Sequence, residues 1–164
     1  MIGKLIRILK HPRVIRDALT NAAWMVDGDI AEKAICGLTE EETAALVRWL
    51  PDEGTFVEFG TLFGLTAKTV AAAKPKLKVI AVDNFSWNPF GMPAELHEKF
   101  TRLILENELK SGRVELVKTD AQEFLKTMKD VDVVFLDGDH RYEAVKAEIE
   151  LVKNAGVKMI AGHD

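Results

Sequence analysis

The sequence holds a single cysteine, Cys36, among its 164 residues. No disulfide can form within the chain, and no cysteine-based metal site is available. Aromatic residues make up only 7%, with one tyrosine. No apolar run approaches the ~20 residues that a membrane-spanning helix needs. The net charge is only −4, so nothing global argues for a nucleic-acid partner. Internal repeats and low-complexity tracts are missing too. What remains is 48% hydrophobic and 29% charged, the balance of an ordinary globular domain of about this length.

Locally the charge is less even. Residues 1–16 (MIGKLIRILKHPRVIR) carry Lys4, Arg7, Lys10, Arg13 and Arg16 and no acid. Apolar residues interleave with these cations. The plainer reading is a helix packed on the domain with a basic, solvated side, broken near Pro12. The alternative is an interfacial helix making weak contact with an anionic membrane surface. The stretch lacks the long apolar core of a signal peptide, and a cytoplasmic location is expected.

The chain then divides in two. Residues 1–53 read as a helical extension. Within it, Thr39-Glu40-Glu41-Glu42 has the T-x-x-E form of a capping box, and Ala45, Leu46, Trp49 and Leu50 form an apolar stripe. Residues 54–164 alternate strand and helix. Strands are predicted at Thr55–Gly60, Lys78–Phe85, Val114–Asp120, Val131–Gly138 and Val157–Asp164. Helices are predicted at Leu65–Ala73, around Leu96, Phe100, Leu103 and Ile104, at Ala121–Met128, and along Tyr142, Val145, Ile149 and Val152, stopping at Gly156. Near-continuous apolar strands alternating with helices imply an α/β fold, with a doubly wound parallel sheet covered on both faces.

Each predicted strand has an acid at or near its carboxyl end: Glu58, Asp83, Asp120, Asp137 with Asp139, and Asp164. In a parallel sheet these ends share one rim, where ligands of open α/β sheets bind. Clustered carboxylates repel pyrophosphate and suit hydroxyls, amines, sulfonium and metal cations. The plainer alternative for any one Asp is a helix N-cap. Gly60 and Gly64 frame the turn after the first strand in a G-x-x-x-G spacing. Leu62 stands where the dinucleotide fingerprint has its second glycine, and no P-loop lysine follows.

Glu58–Thr66 (E-x-G-x-x-x-G-x-T), Asp83, Asp120-Ala121 and the strand Val133–Asp137 together resemble the class I S-adenosylmethionine-dependent methyltransferases. The resemblance covers about two thirds of the chain, Thr55 to Asp164. More narrowly, LDGDHRYEAVKAEIEL followed by MIAGHD is similar to the macrocin and cephalosporin-biosynthesis branch of small-molecule O-methyltransferases. The resemblance implies a Rossmann-like sheet in the order 3-2-1-4-5, with further C-terminal strands of the family fold missing here and Val157–Asp164 left as an edge. It implies that Glu58, Gly60, Thr61, Gly64 and Thr66 form the methionine end of an S-adenosylmethionine site. Asp83 and Asn84 would serve the ribose, and Asp120 and Ala121 would flank the adenine.

The same resemblance puts Asp137 and Asp164 where cation-dependent members hold Mg²⁺ or another divalent cation, with His163 or Asp139 as an accessory ligand. A cation would lower the pKa of an acceptor hydroxyl, and His140 is the candidate base. Catalysis is therefore assigned to His140 and Asp137. The expected reaction is O-methylation of a small-molecule or sugar hydroxyl, with no nucleic-acid partner and with homo-oligomerisation left open. For Asp139, capping the following helix competes with metal ligation, and for His140 a solvated loop position competes with catalysis. The aromatic loop Asn84–Pro93 is either a lid on the cofactor or a hydrophobic plug. Trp24 and the N-terminal helices would close over the cofactor or meet a partner. Two other functions stay open: a nicotinamide-linked oxidoreductase, and a non-catalytic adenosyl-binding or assembly module.

Overall fold

The computed structural model describes residues 38–87 and 93–163. The basic stretch 1–16, Trp24, Cys36, the middle of the aromatic loop (88–92) and Asp164 lie outside the described residues. The elements, in chain order, are α1 (Glu40–Trp49), β1 (Glu53–Phe59), α2 (Leu65–Ala73), β2 (Lys76–Asp83), α3 (Ala94–Ile104), α4 (Glu106–Lys110), β3 (Val114–Lys118), α5 (Ala121–Thr127), β4 (Val133–Leu136), α6 (Tyr142–Asn154) and β5 (Met159–Gly162).

The five strands form one sheet in the order β3-β2-β1-β4-β5, every pair parallel. This is the expected Rossmann-like arrangement. Side chains alternate between the two faces of each strand, and the core splits accordingly. Phe56, Val79, Ala81, Val133 and Phe135 pack on one face with Leu46 of α1 and Val70 of α2. Val57, Phe59, Ile80, Val82, Val134 and Leu136 pack on the other with Leu125 of α5 and Val152 of α6. The central strands are buried on both faces, which is why β4 reads VVFL without polar interruption. Leu38 and Leu50 join the first cluster, so the described end of the helical extension packs on the sheet.

A third, small cluster matters more for the site. Phe63 and Leu65 from the glycine turn meet Phe100 and Ile104 of α3. α3 thereby clamps the loop after β1 from outside the sheet.

Three residues expected on buried helical stripes face water instead. Trp49, Leu103 and Tyr142 are exposed. The buried side of α3 is formed by His97, Phe100, Thr101 and Ile104, so the stripe is rotated away from Leu103. In α6 the buried residues are Glu148 and Val152, and Tyr142 opens the helix beyond them. The capping box is present as predicted: the Glu42 amide donates to Thr39 Oγ1, and the Thr39 amide donates to Glu42 Oε2 at 2.8 Å.

Candidate functional site

The carboxyl ends of β1, β2, β3 and β4 open onto one cleft of about 970 Å³. Its wall includes Gly60, Thr61, Thr66, Asp83, Asn84, Asp120, Ala121, Asp137, His140 and His163. Residues scattered from 60 to 163 in sequence therefore meet on one rim, because a parallel sheet puts all strand ends on the same side.

The turn after β1 is built on two left-handed glycines, Gly60 at φ +85° and Gly64 at φ +84°. A Cβ on Gly60 would lie 2.1 Å from the backbone oxygen of Asp137. Only glycine lets the β1 and β4 turns touch through their backbones. At Gly64 a Cβ would meet Leu105 at 2.6 Å. Gly64 is also the N-cap of α2 and offers no side-chain cap.

Asp83, at the end of β2, joins two loops. The Leu62 amide donates to its Oδ2 at 3.1 Å, and the Phe85 amide donates to its Oδ1 at 2.7 Å. Leu62 stands at φ +50°, so the position of the second fingerprint glycine keeps a left-handed backbone without a glycine, and its amide is already committed. Asn84 Oδ1 accepts from the Ser86 amide, which turns the aromatic loop. The two readings of that loop divide between its aromatics. Phe85 is buried beside His97 and acts as a plug, while Trp87 lines the cleft and is exposed.

Glu58 lies beneath the turn rather than on the cleft wall, 1% exposed. It bonds to Thr61 and Thr66, and its Oε2 has no partner. Burial, followed by the charges of Asp137 and Asp83, pushes its carboxyl well above the usual range. Burial likewise raises Asp137, against the opposing pull of His163 and His140. His163 Nδ1 lies 3.2 Å from Asp137 Oδ1, and His140 Nε2 is 3.8 Å from the same oxygen.

Two rim acids turn out to be occupied. Asp120 is the N-cap of α5, accepting from the amides of Gln122 and Glu123. Asp139 accepts from the Arg141 amide and pairs with the Arg141 guanidinium, which holds its carboxyl down at about 2. Asp139 is not the cap of α6, whose N-cap is Arg141 with no side-chain cap bond; among the described residues its carboxylate is held by Arg141 alone. Among the described residues no cluster of three or more metal-ligating side chains is assembled. Asp137 and His163 are together, and Asp164 lies outside the described residues.

A family model for a methyltransferase domain matches residues 57–157. The chain belongs to this methyltransferase family. Solved structures agree on the fold. A provisionally assigned caffeoyl-CoA O-methyltransferase from Staphylococcus aureus superposes with a TM-score of 0.59 at 12% identity, over 94% of this chain and 68% of its own. Cofactor-bound Rv0187 from MTB gives 0.54 at 23%, over 80% and 60%. The pyocyanin biosynthetic protein PhzM gives 0.55 at 21%, over 73% and 32%. The methyltransferase domain thus spans from about a third to two thirds of the length of these relatives. A search of curated proteins gives no significant match.

Two cleft residues of the methyltransferase domain escaped the reading of its sequence. His97 is 1% exposed and lies edge-on to Phe63 and Phe85. Its Nε2 donates to the Leu62 carbonyl at 2.9 Å, leaving Nδ1 without a partner. Glu148 of α6 is 4% exposed, and burial, then Asp139 and Asp120, raise its carboxyl to about 7. Both signals were available. His97 falls three before Phe100 and seven before Ile104, and Glu148 three after Val145 and four before Val152, so each is a titratable residue inside a buried helical stripe.

Proposed function

We propose that this chain is the cofactor-binding part of an S-adenosylmethionine-dependent methyltransferase. One observation carries the proposal. Asp83 and Asp137, from the ends of two strands that flank β1, face the same cleft, with Glu58 of β1 buried beneath the turn between them. Among the described residues, the one Lys or Arg on the cleft wall is Arg141, which is tied to Asp139. Such a rim favours a ligand bearing positive charge and hydroxyls.

The residues present fit that cofactor. The carboxylate of Asp137, on the cleft wall, suits a cationic end, and Glu58 braces the Gly60 turn from beneath through Thr61 and Thr66. The uncapped start of α2 suits a carboxylate. Asp83 keeps lone pairs for a diol while bracing both loops. S-adenosylmethionine, when bound, supplies an activated methyl group on a sulfonium. The protein's own part is to hold acceptor and donor in line, to keep the acidic rim positive-ligand selective, and to take a proton. His140 sits at the cleft mouth with its Nε2 turned toward Asp137, a placement that suits a base for an acceptor hydroxyl.

The finer reading is O-methylation of a small-molecule hydroxyl with divalent-cation assistance. Asp137 and His163 would be two of the ligands and Asp164 the third. An imidazole in the set favours a borderline metal over Mg²⁺. The dinucleotide alternative is weakened by Leu62, whose amide is bound to Asp83 and is not free for a pyrophosphate.

Calorimetric titration with S-adenosylhomocysteine, with and without Mg²⁺ or Mn²⁺, and with NAD in parallel, tests the reading. Binding of the adenosyl ligand alone is expected. Binding of NAD in its place would overturn the proposal in favour of an oxidoreductase. Cation-independent affinity and turnover would remove the metal while leaving the methyltransferase.

A further inference from the structure

Among the described residues, Glu148 is the one acid on the cleft wall without a hydrogen-bond or ion-pair partner. It is buried on α6, and it lines the cleft together with Asp139 and Asp120. Asp120 accepts from the first amides of α5 through Oδ1, and Asp139 is paired with Arg141. Among the described residues no cation or hydrogen-bond donor pairs with Glu148. A buried carboxyl in that position costs stability unless a donor reaches it. The helices α5 and α6 pack side by side on one face of the sheet, so Glu148 stands where the cleft passes from the β3 turn to the β4 turn. The methyl groups of Ala121 and Ala144 line the same part of the wall, a small, apolar setting suited to a flat heterocycle.

This inference rests on the adenosyl reading above. The cationic end of such a ligand is served by Asp137 and its diol by Asp83, both on the cleft wall. The donor that remains is the exocyclic amino group of the purine. We propose that Glu148 accepts a hydrogen bond from that amino group and makes the cleft selective for a 6-aminopurine. The recognition would come from the helix after β4, in addition to the acid at the end of β3. The raised pKa of Glu148 agrees with a carboxyl awaiting a donor.

The test compares S-adenosylhomocysteine with its 6-desamino purine analogue by calorimetry, on the parent chain, Glu148→Gln and Glu148→Leu. Circular dichroism confirms that each is folded. At pH 8, where Glu148 is ionised, the parent is expected to prefer the amino ligand by about tenfold or more, as a hydrogen bond to a charged group implies. Glu148→Gln, which keeps a carbonyl acceptor and the shape of the side chain, should retain part of the preference. Glu148→Leu should bind both ligands alike. Equal binding of the two ligands by the parent overturns the role of Glu148 while leaving adenosyl recognition standing, as does an undiminished preference in Glu148→Leu. Failure of the parent to bind either ligand overturns both readings. If Glu148→Leu does not fold, the Glu148→Gln preference decides: a ratio equal to one overturns the proposal.

Discussion

The imidazole of His163 lies within hydrogen-bond reach of Asp137, Nδ1 to Oδ1, at 3.2 Å. Its other nitrogen faces Glu42 Oε1 at 3.7 Å. A side chain at the end of β5 therefore orients the acid at the end of β4 and touches the capping box of α1. His163→Ala removes a group that lowers the Asp137 pKa, so Asp137 will titrate higher, observed by carboxyl ¹³C NMR. Loss of such an orienting partner commonly costs about 10–100-fold in metal affinity or activity, and methyl transfer should fall within that range.

Asp83→Ala removes the acceptor for two loop amides and the proposed partner of the ribose. S-adenosylhomocysteine affinity should fall by about 10–100-fold, the equivalent of one or two charge-assisted hydrogen bonds. Asp83→Asn, which keeps an acceptor for at least one amide, should lose less. Calorimetry at fixed pH reads both.

Gly60→Ala places a Cβ where the Asp137 carbonyl already is, at a positive φ. Both effects oppose folding, and a loss of about 2–4 kcal/mol is expected from backbone strain plus steric displacement. Urea unfolding of the variant against the parent measures it. A variant as stable as the parent would contradict the tight packing of the two turns.

The Glu148 pKa predicts a pH-dependent stability with a definite sign. Its carboxyl titrates at about 7 in the folded chain against an ordinary value of 4.5. Below 4.5 both states hold the proton and nothing is lost. Between 4.5 and 7 the unfolded chain has released it and the folded chain has not, so stability falls as pH rises. Above about 7 the loss levels off. Glu148→Gln should be more stable than the parent at pH 8 by about 1–3 kcal/mol, and the difference should vanish near pH 4. Glu58 works in the same direction. Thermal unfolding across pH checks the sign.

His140→Ala should lower kcat for an accepting hydroxyl compound by about 10²–10⁴ and leave cofactor affinity unchanged, as loss of a general base does. An unaltered kcat would return His140 to the role of a solvated loop residue, which its half-exposed side chain also permits.

Much of the fold was legible because its strands are buried on both sides. Runs such as VVFL and KVIAVD leave little choice of secondary structure, and α2 spans Leu65–Ala73 as read from the sequence. The strands end earlier than the apolar pattern predicts: Asp120 and Gly138 sit in the turns, since an acid or glycine after a strand begins the next connection. The five-residue α4 was missed because so short a segment shows no periodicity. At the site, the convergence of strand-end acids follows from topology and was readable. The separate duties of these acids were not, because Asp120, Asp139 and Asp137 look alike in sequence, and only their neighbours in space tell the cap (Asp120) from the arginine pair (Asp139) and the histidine partner (Asp137). His97 and Glu148 were hidden by the expectation that a buried helical face is apolar.

The backbone contact between Gly60 and Asp137 also bears on how this methyltransferase domain could be redesigned. The two turns meet main chain to main chain, with no side chain between them to be trimmed or enlarged. An engineer seeking a new acceptor preference has no slack to exploit at that seam. Changes would have to enter through the side chains that overhang the opening, Trp87 and His140 among them, leaving the scaffold beneath unaltered.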